Sequence, residues 1–242
     1  MDRVDLAALL HAAADGRFPP VDGGVSRARP WRDGVEAAVA FTGHAVLAVG
    51  GDVDDQALLL LGAHGYGVVH DPRLVTALAG RGEIGVLDVL LVAHGTGKDG
   101  TGAGPTGAGG AGPSSAVPVG PLVPRPDLSG AARARHASLW RDEVRVLGLP
   151  DPAATGLTTL SRGIAGLTEV GLQDEDGTAE ALLAGALAQV PRGELVVASV
   201  TPGNARSLRF FLRRGFVPVG SVQQWRPSDR DPSRIVVDSA PH

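Results

Sequence analysis

The stretch Glu194-Leu-Val-Val-Ala-Ser-Val-Thr-Pro-Gly-Asn-Ala-Arg-Ser-Leu-Arg-Phe-Phe-Leu-Arg-Arg-Gly-Phe216 holds a strand, a helix cap, a short helix and a stop in immediate succession. Glu194 to Val200 is a Val-rich run of strand length and is expected to be buried. Asn204 suits the position before a first helical turn, where its side chain accepts an otherwise orphaned N–H and is worth about 1 kcal/mol. Leu208, Phe211 and Leu212 recur at i, i+3 and i+4 and predict an apolar helical stripe. Arg213 and Arg214 place positive charge in the last turn, where the helix dipole favours it. Gly215 supplies the left-handed stop. The alternating run Phe216 to Trp225 then predicts a second strand.

Working outward, Met1 to Asp15 predicts an amphipathic helix ended by Gly16. Val35 to Val49 is expected to be extended, Asp54 to Ala63 and Pro72 to Ala79 to form two short helices, and Gly85 to Ala93 to form a buried strand. Residues 96–127 are dominated by Gly, Pro, Ser and Ala and are expected to be a long Gly/Pro-rich flexible loop or linker. Beyond it the expected order is helix 131–139, strands 144–149, 157–164 and 166–173, helix 178–190, and the strand-helix-strand unit already described. The chain thus divides into an N-terminal region (1–95), the loop (96–127) and a C-terminal region (128–242), in an α/β layered architecture.

A chain of 242 residues with 43% hydrophobic content can bury about 70 to 75% of its unfolded surface. The net charge of −4, with basic residues scattered, gives no pull toward nucleic acid or anionic lipid. There is no cysteine, which excludes disulfides, thiolate metal sites and cysteine nucleophiles. The N-terminus lacks the basic flank and uninterrupted apolar run of a signal peptide. The most apolar segment, Ala37 to Val49, is shorter than the roughly 18 to 20 residues that span a bilayer. A soluble, cytoplasmic protein is the expectation, with no membrane or nucleic-acid partner and with a homodimer left open.

Asn204 followed eleven and twelve residues later by Gly215-Phe216 resembles the last strand-helix-strand unit of the GNAT superfamily of acyl-CoA-dependent N-acetyltransferases, most strongly over 166–225. The resemblance implies a mixed, mostly antiparallel central sheet flanked by helices, with 128–242 as the acetyl-CoA-binding core and 1–95 as a strand-helix-helix-strand part of the same fold or a degenerate second half. It also implies acetyl-CoA as co-substrate and a small-molecule or peptide amine as acceptor. In that family the pantetheine arm pairs with a splayed strand edge and the pyrophosphate rests on a helix N-terminus, where free donors and the dipole favour an anion. By resemblance, Glu169 to Leu172 supply the edge, with Val170 and Leu172 against the cofactor, Gly177, Thr178 and Ala179 form the anion cradle, and Asn204 and Phe211 approach the cofactor from the following helix. Backbone groups around Leu172 would polarise the thioester carbonyl. Glu169 is the candidate general base. Ordinary structural roles stand beside these: a helix cap for Asn204, a solvated strand residue for Glu169. A partner or CoA-binding module without turnover is the alternative function.

Two departures from the family pattern are visible. Its cradle opens with Arg or Gln, whereas this chain has Asp174-Glu-Asp-Gly-Thr-Ala179. Many members carry a tyrosine seven residues after the Asn as the acid for the leaving thiolate, whereas this chain has Phe211. Other patterns fail on context. Gly102-Ala-Gly-Pro-Thr-Gly107 has no helix to follow it, and Gly95-Thr-Gly-Lys98 lacks the Ser or Thr of a phosphate loop. His64 and His70 lack metal-site spacing, and Ser161 lacks a nucleophile elbow.

Overall fold

The computed structural model describes residues 1–98 and 121–230. The chain forms two compact units, one of Met1–Val92 with Ser199–His242 and the other of Ala93–Ala198. In each, a mostly antiparallel mixed sheet is flanked by helices, so the fold is α/β. Among the described residues no helix is long and apolar enough to cross a membrane.

The first unit opens with helix α1 (Leu6–Ala14), capped by Asp5, whose carboxylate accepts from the N–H groups of Ala7 and Ala8. Strand β1 (Val25–Ala28) runs parallel to β3 (His44–Ala48), and β3 forms a tight hairpin with β2 (Glu36–Phe41) through Thr42-Gly43. Gly43 has φ +72°, a conformation that glycine adopts at no steric cost. Helices α2 (Asp55–Leu60) and α3 (Pro72–Ala79) lead to β4 (Glu83–His94). Asp71 caps α3 and Pro72 occupies its first turn, where a missing N–H costs nothing. Leu74, Val75 and Leu78 of α3 join Leu47, Leu58 and Trp225 in one buried cluster.

The second unit contains β5 (Val123–Pro124), α4 (Ala132–Trp140), β6 (Asp142–Gly148), β7 (Leu157–Arg162), β8 (Thr168–Gln173), α5 (Ala179–Leu187) and β9 (Leu195–Val200), whose last two residues belong to the first unit. The strand order is β9-β8-β7-β6-β5. Pairing is antiparallel from β5 to β8 and parallel between β8 and β9.

The chain then forms α6 (Ala205–Arg213) and β10 (Val217–Arg226), both in the first unit. β10 pairs antiparallel with β2 on one side (Trp225 opposite Glu36) and with β4 on the other (Val217 opposite Val92). The strand-helix-strand stretch therefore does not stay with 128–198 as the division at 96–127 expects. Two ladders to strands of the N-terminal region decide where β10 lies.

The loop reading of 96–127 also needs correcting at its far end. Residues 99–120, which carry Gly102 to Gly107, lie outside the described residues. Within residues 122–127, Leu122 and Arg125 are buried. Leu122 is 7% exposed and sits against Gly185 of α5, where an added Cβ would fall 2.6 Å from its Cγ. Arg125 is buried, donates to Asp127 at 2.7 Å and reaches the carbonyls of Leu149 and Asp151 at 3.2 and 3.1 Å. Leu122→Ala should therefore destabilise the protein by about 2 kcal/mol or more in urea unfolding. A residue in an unpacked loop would change stability by less than about 0.5 kcal/mol.

His70, in the 3-10 turn Val68–His70 before α3, bonds through Nε2 to Ser221 Oγ of β10 at 2.9 Å, and its Nδ1 is buried with no partner. Burial pushes its pKa down from 6.5 to about 4. The unfolded chain thus takes up the proton first as pH falls, so stability is intact above about pH 6.5 and is lost progressively toward about pH 4. His70→Gln should flatten urea midpoints across that window, while the decline at lower pH, where carboxylates protonate, should persist.

Candidate functional site

The candidate site residues fall into two groups. Glu169, Val170, Leu172, Gly177, Thr178 and Ala179 follow one another along β8, the next turn and the start of α5, all in the second unit. Asn204 and Phe211 belong to α6 in the first unit.

β8 and β9 are each six residues long, yet their register pairs are only Thr168 with Val196 and Glu169 with Val197. Past Glu169 the two strands have no ladder in common. An edge freed in this way can be met by an extended ligand through main-chain hydrogen bonds. On its other side β8 pairs along its whole length with β7, from Arg162 opposite Thr168 to Leu157 opposite Gln173.

Glu169 is not the solvated strand residue that alternation suggests. It is 0% exposed and forms a buried ion pair with Arg141, the residue between α4 and β6. Its second oxygen accepts from the Ile164 N–H at 3.3 Å. Gly163 makes room for it, since a Cβ there would lie 2.0 Å from Glu169 Oε2. The same face of β8 carries Gly171, where a Cβ would meet Thr159 Oγ1 at 2.8 Å and Arg133 Cδ of α4 at 3.0 Å. Arg141 Nε and Nη1 and Thr159 Oγ1 are buried without a protein partner. For Glu169 to accept a proton from a substrate, the Arg141 contact would first have to open. Sequence spacing carries no signal for this pair, though the two glycines that flank Glu169 in space mark a crowded polar site.

In the turn between β8 and α5 the chain's own carboxylates take donors from Thr178 and from the loop before β7. Asp174 accepts from the Thr178 N–H at 2.7 Å. Asp176 accepts from the Thr178 hydroxyl at 2.7 Å and from the N–H groups of Thr155 and Gly156 at 3.1 and 3.2 Å. The Thr178 hydroxyl, and after it the two backbone donors, hold the Asp176 carboxyl below the usual carboxylate range. Gly177 has φ +79° with open space where a Cβ would project, so its backbone is accessible.

Beside Thr168, at the end of β8 far from this turn, a cleft of about 180 Å³ is bounded by Leu160, Gln189, Glu194, Arg145 and the pair Arg162–Glu143, whose charged groups lie 3.4 Å apart. Glu143, on a bulge of β6, has φ +52°, which is uncommon for a residue with a side chain.

On α6, Asn204 is the helix cap, its Oδ1 accepting from the Ser207 N–H at 3.1 Å. Gly215 follows with φ +84°. Of the expected stripe only Phe211 is buried, while Leu212 is 42% exposed. Phe211 meets Phe216 edge-on at 4.9 Å between ring centroids and Phe210 at 5.7 Å.

Compared with family models, curated proteins and solved structures, the chain matches none.

Phe211 is 6% exposed and packed edge-on against Phe216 and Phe210, so Phe211→Tyr should cost on the order of 1 to 3 kcal/mol, the penalty of a buried, unpaired hydroxyl. A thermal melt of the variant checks this. An unchanged midpoint would show that the hydroxyl has found a partner.

Proposed function

We propose that the chain is a GNAT-type N-acetyltransferase that moves an acetyl group from acetyl-CoA to a primary amine by direct attack, with no covalent enzyme intermediate. The observation that carries this reading is the parting of β8 and β9 after two register pairs, immediately before a glycine-containing turn and a helix. Acetyl-CoA would supply an activated acyl thioester. Val170 to Leu172 would bind its pantetheine arm along the free strand edge and orient the thioester, and Gly177 would permit close approach of the chain to the ligand.

The fit is uneven. The strand edge suits a pantetheine arm. The turn does not suit a pyrophosphate, because Asp174 already holds the Thr178 N–H and Asp174, Glu175 and Asp176 place three negative charges there. In this reading the strand edge carries the binding and the phosphates add little.

Thr168, Val170 and Leu172 alternate onto one face of β8; the cleft beside Thr168 carries Glu143 and Glu194 together with Arg145 and Arg162, with Glu143 paired to Arg162 at 3.4 Å, so its charges balance and it does not select a cationic acceptor. Asn204 and Phe211 take no part in this proposal, since capping and ring packing account for them. Glu169 lies on the other face of β8 from Thr168, Val170 and Leu172, so it would serve as base only after release from Arg141 and through a water.

A second reading is favoured by the acidic turn and the absence of an acid at Phe211: the same scaffold without turnover, acting as a binding or partner module. Thermal shift separates the two. Millimolar acetyl-CoA and acetyl-pantetheine should raise the melting temperature by similar amounts, since a ligand at 100 times its Kd stabilises by about 2.7 kcal/mol. Asp174→Arg should enlarge the acetyl-CoA shift alone. With a panel of primary amines, CoA release should follow. No shift with either ligand, or a shift with no CoA release, would favour the second reading. Glu169→Gln tests the base: a loss of turnover at an unchanged melting point supports it, whereas a loss of about 3 to 5 kcal/mol of stability marks a structural ion pair.

A further inference from the structure

Apart from the β8 edge, the first unit holds Ser26, His44 and Asp22 in line. Ser26 Oγ lies 3.0 Å from His44 Nε2, and His44 Nδ1 lies 2.9 Å from Asp22 Oδ1. An aspartate carboxylate only accepts, so Nδ1 of the neutral ring carries the hydrogen, Nε2 is left as acceptor, and the Ser26 hydroxyl donates to it. That is the polarity a histidine needs to take a proton from a serine.

The line is fixed by backbone on every side. Parallel pairing of β1 with β3 sets Val25 opposite Ala45, which brings Ser26 and His44 to neighbouring strands. Asp22 also accepts from the Gly24 N–H at 2.7 Å, which holds the carboxylate where His44 meets it. The hydrogen bond from His44 keeps the Asp22 carboxyl below the usual carboxylate range, with the Gly24 N–H acting in the same direction, so it is charged at neutral pH. Three glycine-bearing turns meet here: the Gly23 N–H donates to Gly43 O and the Gly65 N–H to Gly23 O. A Cβ on Gly65 would fall 2.7 Å from both Gly43 O and His44 Cα.

Two exposed apolar side chains stand over these turns. Val21 lies against Gly43 and Tyr66 against Gly23, and each is 64% exposed. Ser26 and His44 are 6% and 9% exposed, so only a small acyl group can approach the hydroxyl, while the apolar rim suits a flat or aliphatic leaving group.

We propose that Ser26, His44 and Asp22 form a nucleophile, base and positioning residue that cleave esters of small acyl groups at a site separate from the β8 edge. Ser26 Oγ bonds to the ester carbonyl carbon while its proton passes to His44 Nε2. The bond from that carbon to the leaving oxygen then breaks, and the alcohol or phenol departs with the proton from His44. Water repeats the sequence: it gives a proton to His44 as its oxygen bonds to the acyl carbon, and Ser26 recovers that proton as the carboxylic acid is released. Asp22 touches no substrate; it holds the His44 tautomer and stabilises the ring when protonated.

The test uses the full-length protein and p-nitrophenyl acetate, following nitrophenolate release together with intact mass and peptide mapping. One acetyl group on Ser26 is expected, with none at that position in Ser26→Ala. His44→Gln should slow acylation by on the order of 10²- to 10⁴-fold. Asp22→Asn should lower the acylation rate at saturating ester and leave the half-saturating concentration unchanged, a split that a merely structural role would not produce. Thermal melts identify any variant that fails to fold; if His44→Gln does, the wild-type adduct and the Asp22→Asn split decide. Absence of an adduct on Ser26 in the folded wild-type protein, or equal acylation in folded His44→Gln, overturns the proposal.

Discussion

A single carboxylate holds the first unit together. Glu36 begins β2, is almost completely buried, and would be costly there without matched donors. It receives four hydrogen bonds: the Gly50 N–H at 2.7 Å, the Trp225 indole N–H at 3.0 Å, and Arg230 at 2.6 and 2.9 Å. These donors come from three places, namely the turn after β3, the end of β10 and the segment beyond it. Trp225, the largest side chain in the unit's core, is thus fixed at its polar edge as well as on its apolar face. Arg230 also reaches Asp52 at 2.7 Å, so the chain leaving β10 is tied back to the turn that follows β3.

The second unit uses the same device less completely. Arg141 and Glu169 are paired beneath α4, but two Arg141 nitrogens and the Thr159 hydroxyl find no protein partner. A buried pair of this kind contributes little net stability because desolvation offsets most of the attraction, while removal of either member leaves the other charge exposed to the full penalty. Its consequence is positional. It fixes the start of β8 against the turn at Ile164, and the two register pairs with β9 occur at that start, Thr168 and Glu169. The segment of β8 that leaves β9 begins where this anchor ends.

How much was legible in the sequence follows from whether each signal is local. Asn204 and Gly215 bracket α6 with adjacent chemistry, and the structure gives the helix nearly the expected bounds. The same residues could not say which sheet β10 enters, because that depends on strands more than a hundred residues earlier. Leu122 and Arg125 were hidden by the Gly/Pro-rich composition around them, although the Arg125 to Asp127 pair was readable as a local tie. Neither Arg141 with Glu169 nor Asp22 with Ser26 and His44 has a spacing that identifies it. Those groups meet only because strands pair, and the surviving sequence trace is the glycines that make room beside them.

The turn between β8 and α5 shows how the sign of a charge can redirect a scaffold without altering its backbone. A helix start attracts anions because its first N–H groups lack partners and its dipole is positive. Here Asp174 accepts the Thr178 N–H from within the chain, so local structure gains a hydrogen bond that a phosphate group would otherwise make, while Asp176 holds the Thr178 hydroxyl and the N–H groups of Thr155 and Gly156 before β7. An incoming pyrophosphate would have to displace charge-assisted bonds and then lie among three carboxylates, whereas an uncharged arm pairing with the strand edge would meet neither cost. On the reading proposed for this chain, selection therefore rests on the extended, amide-bearing portion of the ligand and its acyl thioester, and the nucleotide end becomes dispensable.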